Sequence, residues 1–457
     1  MSGLRAGAAV VDITPAVGGL MDGYGGRSQG SQGVHDALMA RVVVLDDGAT
    51  RVALVSCDVL GVHAWITERI RERATERADI SPNGVIVAAT HNHQGPVGLR
   101  AGLFARREEE AAETIVEQVG GSIEEAAGRL RPARLKVGSA VVDTVSMNRR
   151  HPEWAIDPVM RALLVDGEAG PIASILNFAC HATVLNGANL MLTGEFPGVA
   201  SRLLLEQTGA PCVYLNGACG DVNPVWIKQD FDSVERMGQI IGGQALRAIG
   251  ELRAMGAGQR AHNIRWDEFP EKAVPGRMVE PRLKAVRRDV ELPLRAFASD
   301  AEYLARVDGL RARLEGLAAG SEERREVMAQ VTRLETERWS ATWARRQPQA
   351  VSQQSEVQAL RLGDGLAVLA LPGEFFVETG AAIRAAAAQG WGTEPHIHGI
   401  TDLFLACYAN DYVGYVVPEH TYDEGGYESG VTFFAPEAEG IIRNASVELL
   451  REVMNDD

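Results

Sequence analysis

The stretch ATHNHQGP, residues Ala89 to Pro96, ends an apolar run with two histidines one residue apart. If the strand-like run from Gly84 continues through it, residues two apart share a face and both imidazoles point the same way. That suits two metal ligands, or one ligand beside an acid/base group. Ten histidines in the chain make an HxH pair a weak signal alone. Two further residues repeat the context. His181 follows the apolar run Ala173 to Cys180 and leads into a Gly-rich loop with Glu195, and Glu374 follows another apolar run after a Pro-Gly turn. Where strands run parallel, the loops beyond their carboxyl ends gather on one edge of the sheet. Two His and one Glu so placed match a catalytic zinc set that keeps a position open for water. A helix cap or a solvated turn is the alternative use of a carboxylate at Glu374.

Other residues leave their alternatives open. In GACGDVNP, Gly217 to Pro224, the glycines allow close backbone approach, and Asp221 either orients a ligand histidine or bonds its own turn. Cys219 has no evident base partner, so an inert thiol is expected rather than a nucleophile. Five tyrosines stand between Tyr408 and Tyr427. Tyrosines often fill space with a polar tip, and composition selects no ligand among them.

The elements that must carry these residues are strand-like runs at 41–47, 51–62 and 84–90, with later ones ending at Cys180, Cys219 and Glu374. Between them lie an amphipathic helical segment from Trp65 and a charged helical stretch from Arg106 to Gly120. Near-continuous apolar strands between such helices predict an α/β body with covered sheets. With no linker rich in Pro, Gly or Ser, residues 1–457 are expected to form a single domain. One region differs: from Ser299 to Arg345, Tyr303, Val307, Leu310, Leu314 and Leu317 repeat at 4-3 spacing on a charged background. Gly320 and Ser321 interrupt it, Ser321 can cap a second helix, and Val327, Val331 and Leu334 resume the spacing. This predicts a helical hairpin inserted at 299–345, a packing or dimerisation element in preference to a lid over the site.

The formal charge of −16 argues against a nucleic-acid partner. Five cysteines at irregular spacing, without a CxxC pair, fit buried thiols in a reducing compartment. No apolar stretch is long enough to cross a bilayer, and the N-terminal residues lack the apolar core of a signal peptide. A cytoplasmic location is the expectation.

Ten motifs in sequence order resemble the neutral/alkaline non-lysosomal ceramidase family, in its N-terminal catalytic domain. They are VDITPAVGGLMDGYGG, VHDALMARVVVLDDG, VSCDVLG, ATHNHQGP, MNRR, NFACHAT, GEFPGVAS, GDVNP, LPGEFF and NDYVGYVVPEHTYDEGGYESG, running from Val10 past Gly430. The resemblance implies a mixed-sheet α/β catalytic domain and one zinc ion per chain, held by His91, His181, Glu374 and Tyr415. It also implies roles around the reacting carbonyl for His93, Arg149 and Tyr427. The chain departs from the family at Asn92 and Gln94, where ceramidases have Thr and Ser. It departs again at Gly217-Ala218-Cys219, where the family has a serine tied to activity, and in GYVVPEH. Secreted ceramidases carry a signal peptide and a C-terminal immunoglobulin-like domain; the expectation here is a divergent member without them.

The function so implied is zinc-dependent hydrolysis of an amide bond in a small N-acyl or cyclic amide, an amidohydrolase acting on non-peptide C–N bonds. Zinc lowers the pKa of bound water towards ~7, and His93, Arg149 and Tyr427 supply donors to the developing oxyanion. His93 or a carboxylate would protonate the departing amine. The alternatives are an ester or lactone hydrolase with the same site, a two-metal phosphoesterase built on Asp58, His91, His93 and His181, and a non-catalytic metal-binding homologue. The expected partners are a small-molecule amide or ester and, through the 299–345 insert, a second copy of the chain.

Overall fold

The computed structural model describes residues 3–97, 99, 109–225, 228–255, 276–345, 350–389 and 399–455. The predicted helical stretch from Arg106 begins outside these residues; the helix that is described there runs Glu109–Gly128.

Two mixed sheets form the body. The larger has nine strands. Its order along the path is Cys212–Asn216, Gly170–Phe178, Val159–Gly167, Arg131–Val141, Arg5–Asp12, Met39–Asp46, Arg51–Cys57 and Val85–Ala89, with Arg277–Val279 paired to Arg131–Val141. The pairs at its two ends are parallel, Cys212–Asn216 with Gly170–Phe178 and Arg51–Cys57 with Val85–Ala89. The interior pairs are antiparallel. The smaller sheet runs Pro281–Pro293, Ser352–Gly363, Leu366–Ala370 and Asp402–Ala406, its last pair parallel. This is the α/β mixed-sheet class that the resemblance implied.

The sheets stack face to face. Val43, Leu45, Leu54 and Ile86 of the larger share one buried cluster with Leu360, Val368 and Phe404 of the smaller. With a period of two, the alternate residues Val42, Val44, Val55 and Val87 point the other way, onto Ile66, Ile70, Val116 and Val119 of helices Ala64–Ala78 and Glu109–Gly128. Helices Glu195–Thr208 and Phe231–Ala254 cover the rest of that face. Helices Val377–Ala388 and Ala438–Met454 pack on the smaller sheet. Strands buried on both faces must be apolar at every position, which is why they read as runs without alternation. Each such Val or Leu contributes roughly 1.5–3 kcal/mol. Among the described residues no helix is long and apolar enough to cross a membrane.

The hairpin consists of helices Asp300–Glu315 and Glu322–Ala344, joining the neighbouring strands Pro281–Pro293 and Ser352–Gly363. Tyr303, Val307 and Leu314 pack on Val327, Val331 and Leu334, the residues whose spacing predicted it. Ser299 and Glu302 form a reciprocal cap on the first helix, and Ser321 Oγ accepts the Arg324 N–H of the second at 3.2 Å. Ser340 Oγ donates to the Gly430 carbonyl at 3.0 Å, docking the second helix on the segment Tyr427–Val431.

Glu195 opens its helix in the left-handed region, φ 54°, wholly buried. Its oxygens accept the Leu185 and Phe196 N–H groups at 2.8 and 2.9 Å, yet burial pushes its pKa from 4.5 up to about 7. A carboxyl whose folded pKa is raised stabilises the fold fully below its unfolded value, and the contribution is lost as pH rises through the folded one. At about 1.36 kcal/mol per pKa unit, wild type should lose ~3 kcal/mol relative to Glu195→Gln between pH 4.5 and pH 8. Urea unfolding at several pH values measures this; a difference that stays flat would mean the backbone donors keep Glu195 ionised.

Candidate metal centre

His91 lies just beyond the strand Val85–Ala89, which does not continue through it as the spacing argument supposed. The residue is left-handed, φ 61°, and the turn is pinned by Thr90 N–H to the Cys57 carbonyl at 2.9 Å and Asn92 N–H to the Val59 carbonyl at 3.0 Å. The two imidazoles meet all the same, with Nε2 atoms 3.2 Å apart, because the turn rather than a shared strand face brings them together. His181 follows Gly170–Phe178, and Glu374 follows Leu366–Ala370. A two-residue ladder places Glu374 beside Tyr415: its N–H donates to the Gly414 carbonyl at 2.9 Å, and Val416 N–H donates back to its carbonyl at 3.1 Å.

The tautomers follow from the acceptors. His91 Nδ1 lies 2.9 Å from the Leu60 carbonyl, and His181 Nδ1 lies 2.7 Å from that of Cys219. A carbonyl only accepts, so both Nδ1 atoms carry the proton and both Nε2 atoms are bare. These lone pairs face Glu374 Oε2 from 3.4 and 3.1 Å, and Tyr415 Oη is 3.5 Å from His181 Nε2. Burial, reinforced by Arg149, lowers His181 to about 4, keeping it neutral. Tyr412 donates to the other oxygen of Glu374, a bond that favours the carboxylate over the acid. Bare nitrogens around an ionised carboxylate repel one another unless a cation sits among them. Donors at 2.0–2.1 Å from one tetrahedral ion stand ~3.4 Å apart, the spacing found here, so the residues fit a metal. His93 adds a third imidazole within 4.8 Å of the other two.

Around this centre, Tyr412 donates to the other oxygen of Glu374, Oε1, at 2.5 Å, and Tyr408 stacks on His91 with ring centroids 3.9 Å apart. Arg149 donates from Nη2 to Tyr415 Oη at 2.8 Å and from Nε to Glu428 Oε1 at 2.7 Å. Tyr427, more than half exposed, sets its ring edge-on to Tyr415 and beneath the Arg149 guanidinium. His93, half-buried, packs against Tyr24, and its carbonyl accepts from Arg27 at 3.0 Å. The seven residues that the resemblance implied for the site therefore adjoin one centre.

Other candidates fall elsewhere. Asp221 does not reach a histidine: Oδ1 accepts the Val377 N–H and Oδ2 accepts from Asn148, while the carbonyls of Cys219 and Val222 in the same turn hold His181. Asp58 is bound to Arg41 at 2.8 Å and to the Met39 N–H, so it is committed away from the imidazoles. Cys219 is buried, and burial raises its thiol well above the ordinary value, as an inert thiol requires. Asn92 and Gln94 face inward: Asn92 donates to the Thr193 carbonyl at 2.6 Å and accepts the Gln94 N–H, and Arg27 donates to Gln94 Oε1.

Sequence reasoning missed Tyr412, Glu428 and Asn216. The Asn216 amide donates to the carbonyls of Thr90 and Cys180 at 3.2 and 3.0 Å, the residues immediately before His91 and His181. Strand-end Asn is a common turn residue, so nothing local marked it. Groups that orient metal ligands typically contribute 10–100-fold to affinity. Asn216→Ala should weaken metal binding by ~10–100-fold in a competitive chelator titration; unchanged affinity would show that the two turns hold themselves.

Comparison with known proteins agrees. Residues 4–219 match the family model described as neutral/alkaline non-lysosomal ceramidase, N-terminal. A neutral ceramidase of Pseudomonas aeruginosa is 23% identical, over 97% of this chain and 71% of its own length. One from Oryza sativa subsp. japonica is 29% identical over 44% of this chain and 29% of its own length. The crystal structure of neutral ceramidase from Pseudomonas aeruginosa covers 99% of this chain and 75% of its own at a TM-score of 0.73 and 22% identity, which establishes a shared fold. With its ordered motifs, residues 4–219 matched to the family model and this shared fold, the chain is similar to the neutral/alkaline non-lysosomal ceramidases.

Proposed function

We propose that this chain is a zinc-dependent hydrolase that cleaves the amide bond of a small N-acyl or cyclic amide. The observation that carries the reading is the pair of bare Nε2 atoms, on His91 and His181, converging on the ionised Glu374. The relatives named neutral ceramidase support an amide as the substrate class. His91, His181, Glu374 and Tyr415 would hold the ion. Zinc bound there supplies an activated water near neutral pH and polarises a carbonyl. Arg149 and Tyr427 line the approach to Tyr415 and present N–H and O–H donors to the carbonyl oxygen as charge develops on it. His93, the more exposed imidazole, stands beside His91 and is placed to pass a proton to the departing amine. Arg149 brings positive charge to the approach, favouring neutral or anionic substrates. Five buried, unbridged thiols support the cytoplasm as its location.

The test is a panel of ceramides, N-acyl amino acids, lactams, esters and lactones, with metal analysis of the purified protein. Amide turnover that a chelator abolishes and zinc restores is the expected result. Turnover unaffected by metal removal would sink the mechanism, and a preference for esters or lactones would reassign the bond.

A further inference from the structure

The hairpin and the metal centre meet at one cleft. A cavity of about 940 Å³ is lined by Arg149, Asn223, Trp154 and Tyr427 on the body and by Ala329 on the second hairpin helix, Glu322–Ala344. Its connection to the chemistry is direct, because Arg149 bonds Tyr415 and Tyr427 packs edge-on to it.

Three further residues of the helix lie on the same face as Ala329. Positions 329, 333, 336 and 340 follow i, i+4, i+7 and i+11, one stripe of a helix. Arg333 occupies the space above Gly425, where an added Cβ would meet its Cδ at 3.0 Å. Thr336 does the same above Gly430, at 2.9 Å, and Ser340 donates to the Gly430 carbonyl. The stripe therefore seats on the segment that carries Tyr427, and Ala329 is its next member, beyond the seat and over the cleft. A methyl group there leaves the cleft open, whereas any larger side chain would project into it.

We infer that Ala329 sets the size of group the cleft accepts beside the cleaved bond, the hairpin serving as a fixed wall of the substrate site. The inference rests on the hydrolase reading above. Ala329 is exposed, so a large side chain there disturbs no core. Removing or adding a few methylenes of room changes recognition by ~10–200-fold, and the effect should grow with ligand bulk.

The test uses straight-chain hydroxamates from acetyl to octanoyl, which ligate a metal whether or not an amide is cleaved. Calorimetry on zinc-loaded Ala329→Trp should show octanohydroxamate weakened by ~10-fold or more and acetohydroxamate within about twofold of wild type. Zinc content should be unchanged. Ala329→Cys gives a second variant, since the five native cysteines are all buried; maleimides of increasing size attached to the introduced thiol should reproduce the graded loss. Equal weakening across the series, or none, would overturn the inference while leaving the hydrolase reading intact. Wild type that binds no hydroxamate at all would overturn both together.

Discussion

Alanine at His181 or at Glu374 is expected to abolish stoichiometric zinc and to lower kcat/KM by at least about 1000-fold, a loss of ~4 kcal/mol in transition-state stabilisation. Both residues are essentially buried and both face the same point, so truncating either leaves the remaining donors short of a tetrahedral set. The two variants should differ in the metal-free protein. Glu374→Ala takes an ionised carboxylate away from two bare imidazoles, and strands the Tyr412 hydroxyl that donated to it. His181→Ala instead leaves Glu374 with His91 and Tyr412 still beside it. Zinc should raise the unfolding temperature of wild type, because an ion that binds only the folded state stabilises it by mass action, and should raise that of neither variant. Elemental analysis and thermal unfolding with and without zinc read this out independently of substrate. Either variant retaining full zinc would remove its residue from the ligand set. The Glu374→Gln variant separates charge from shape: it can still accept from Tyr412, yet should bind zinc far more weakly than wild type.

How much of this could be read from the chain alone depends on how local each cause is. The strands carrying the site are buried on both faces, so Val85–Ala89, Gly170–Phe178 and Leu366–Ala370 stand out as apolar runs, and the polar residues just past them could be picked out as candidates. The hairpin was equally legible, because its own 4-3 spacing closes its own small core. The tyrosines were not. Tyr408 and Asn410 sit in the left-handed region, at φ 58° and 64°, so the segment after Asp402–Ala406 follows no period that would assign faces. Tyr415 is chosen by its ladder with Glu374, and Tyr412 by the reach of its hydroxyl to the same carboxylate, contacts made across the fold that no local spacing marks. Family resemblance reached Tyr415, whereas spacing did not. Asn216 and Glu428 were invisible for the same reason: Glu428 meets Arg149 across 279 positions, and nothing near either residue announces the other.

That pairing leads to the second large effect. Arg149→Met is expected to lower kcat by ~100–1000-fold, the usual cost of deleting one donor to a developing oxyanion, with a much smaller change in KM. Its guanidinium is held by Glu428 at Nε and presents Nη2 to Tyr415, so the fork spans the anchor and the site at once. Arg149→Lys should therefore recover little, because one ammonium cannot bond both partners in that geometry. The fold should tolerate Arg149→Met, since Glu428 keeps its second partner, Arg150 Nη1, at 2.9 Å. Glu428→Leu should behave differently. Glu428 is buried and serves both arginines, so its removal leaves guanidinium charge without its carboxylate, a change that typically costs ~3–5 kcal/mol. Urea unfolding of the two variants beside their kinetics distinguishes a positioned donor from a structural ion pair. If Arg149→Met unfolds as readily as Glu428→Leu, or keeps kcat within threefold of wild type, the arginine belongs to the scaffold and the carbonyl oxygen must find its donors elsewhere.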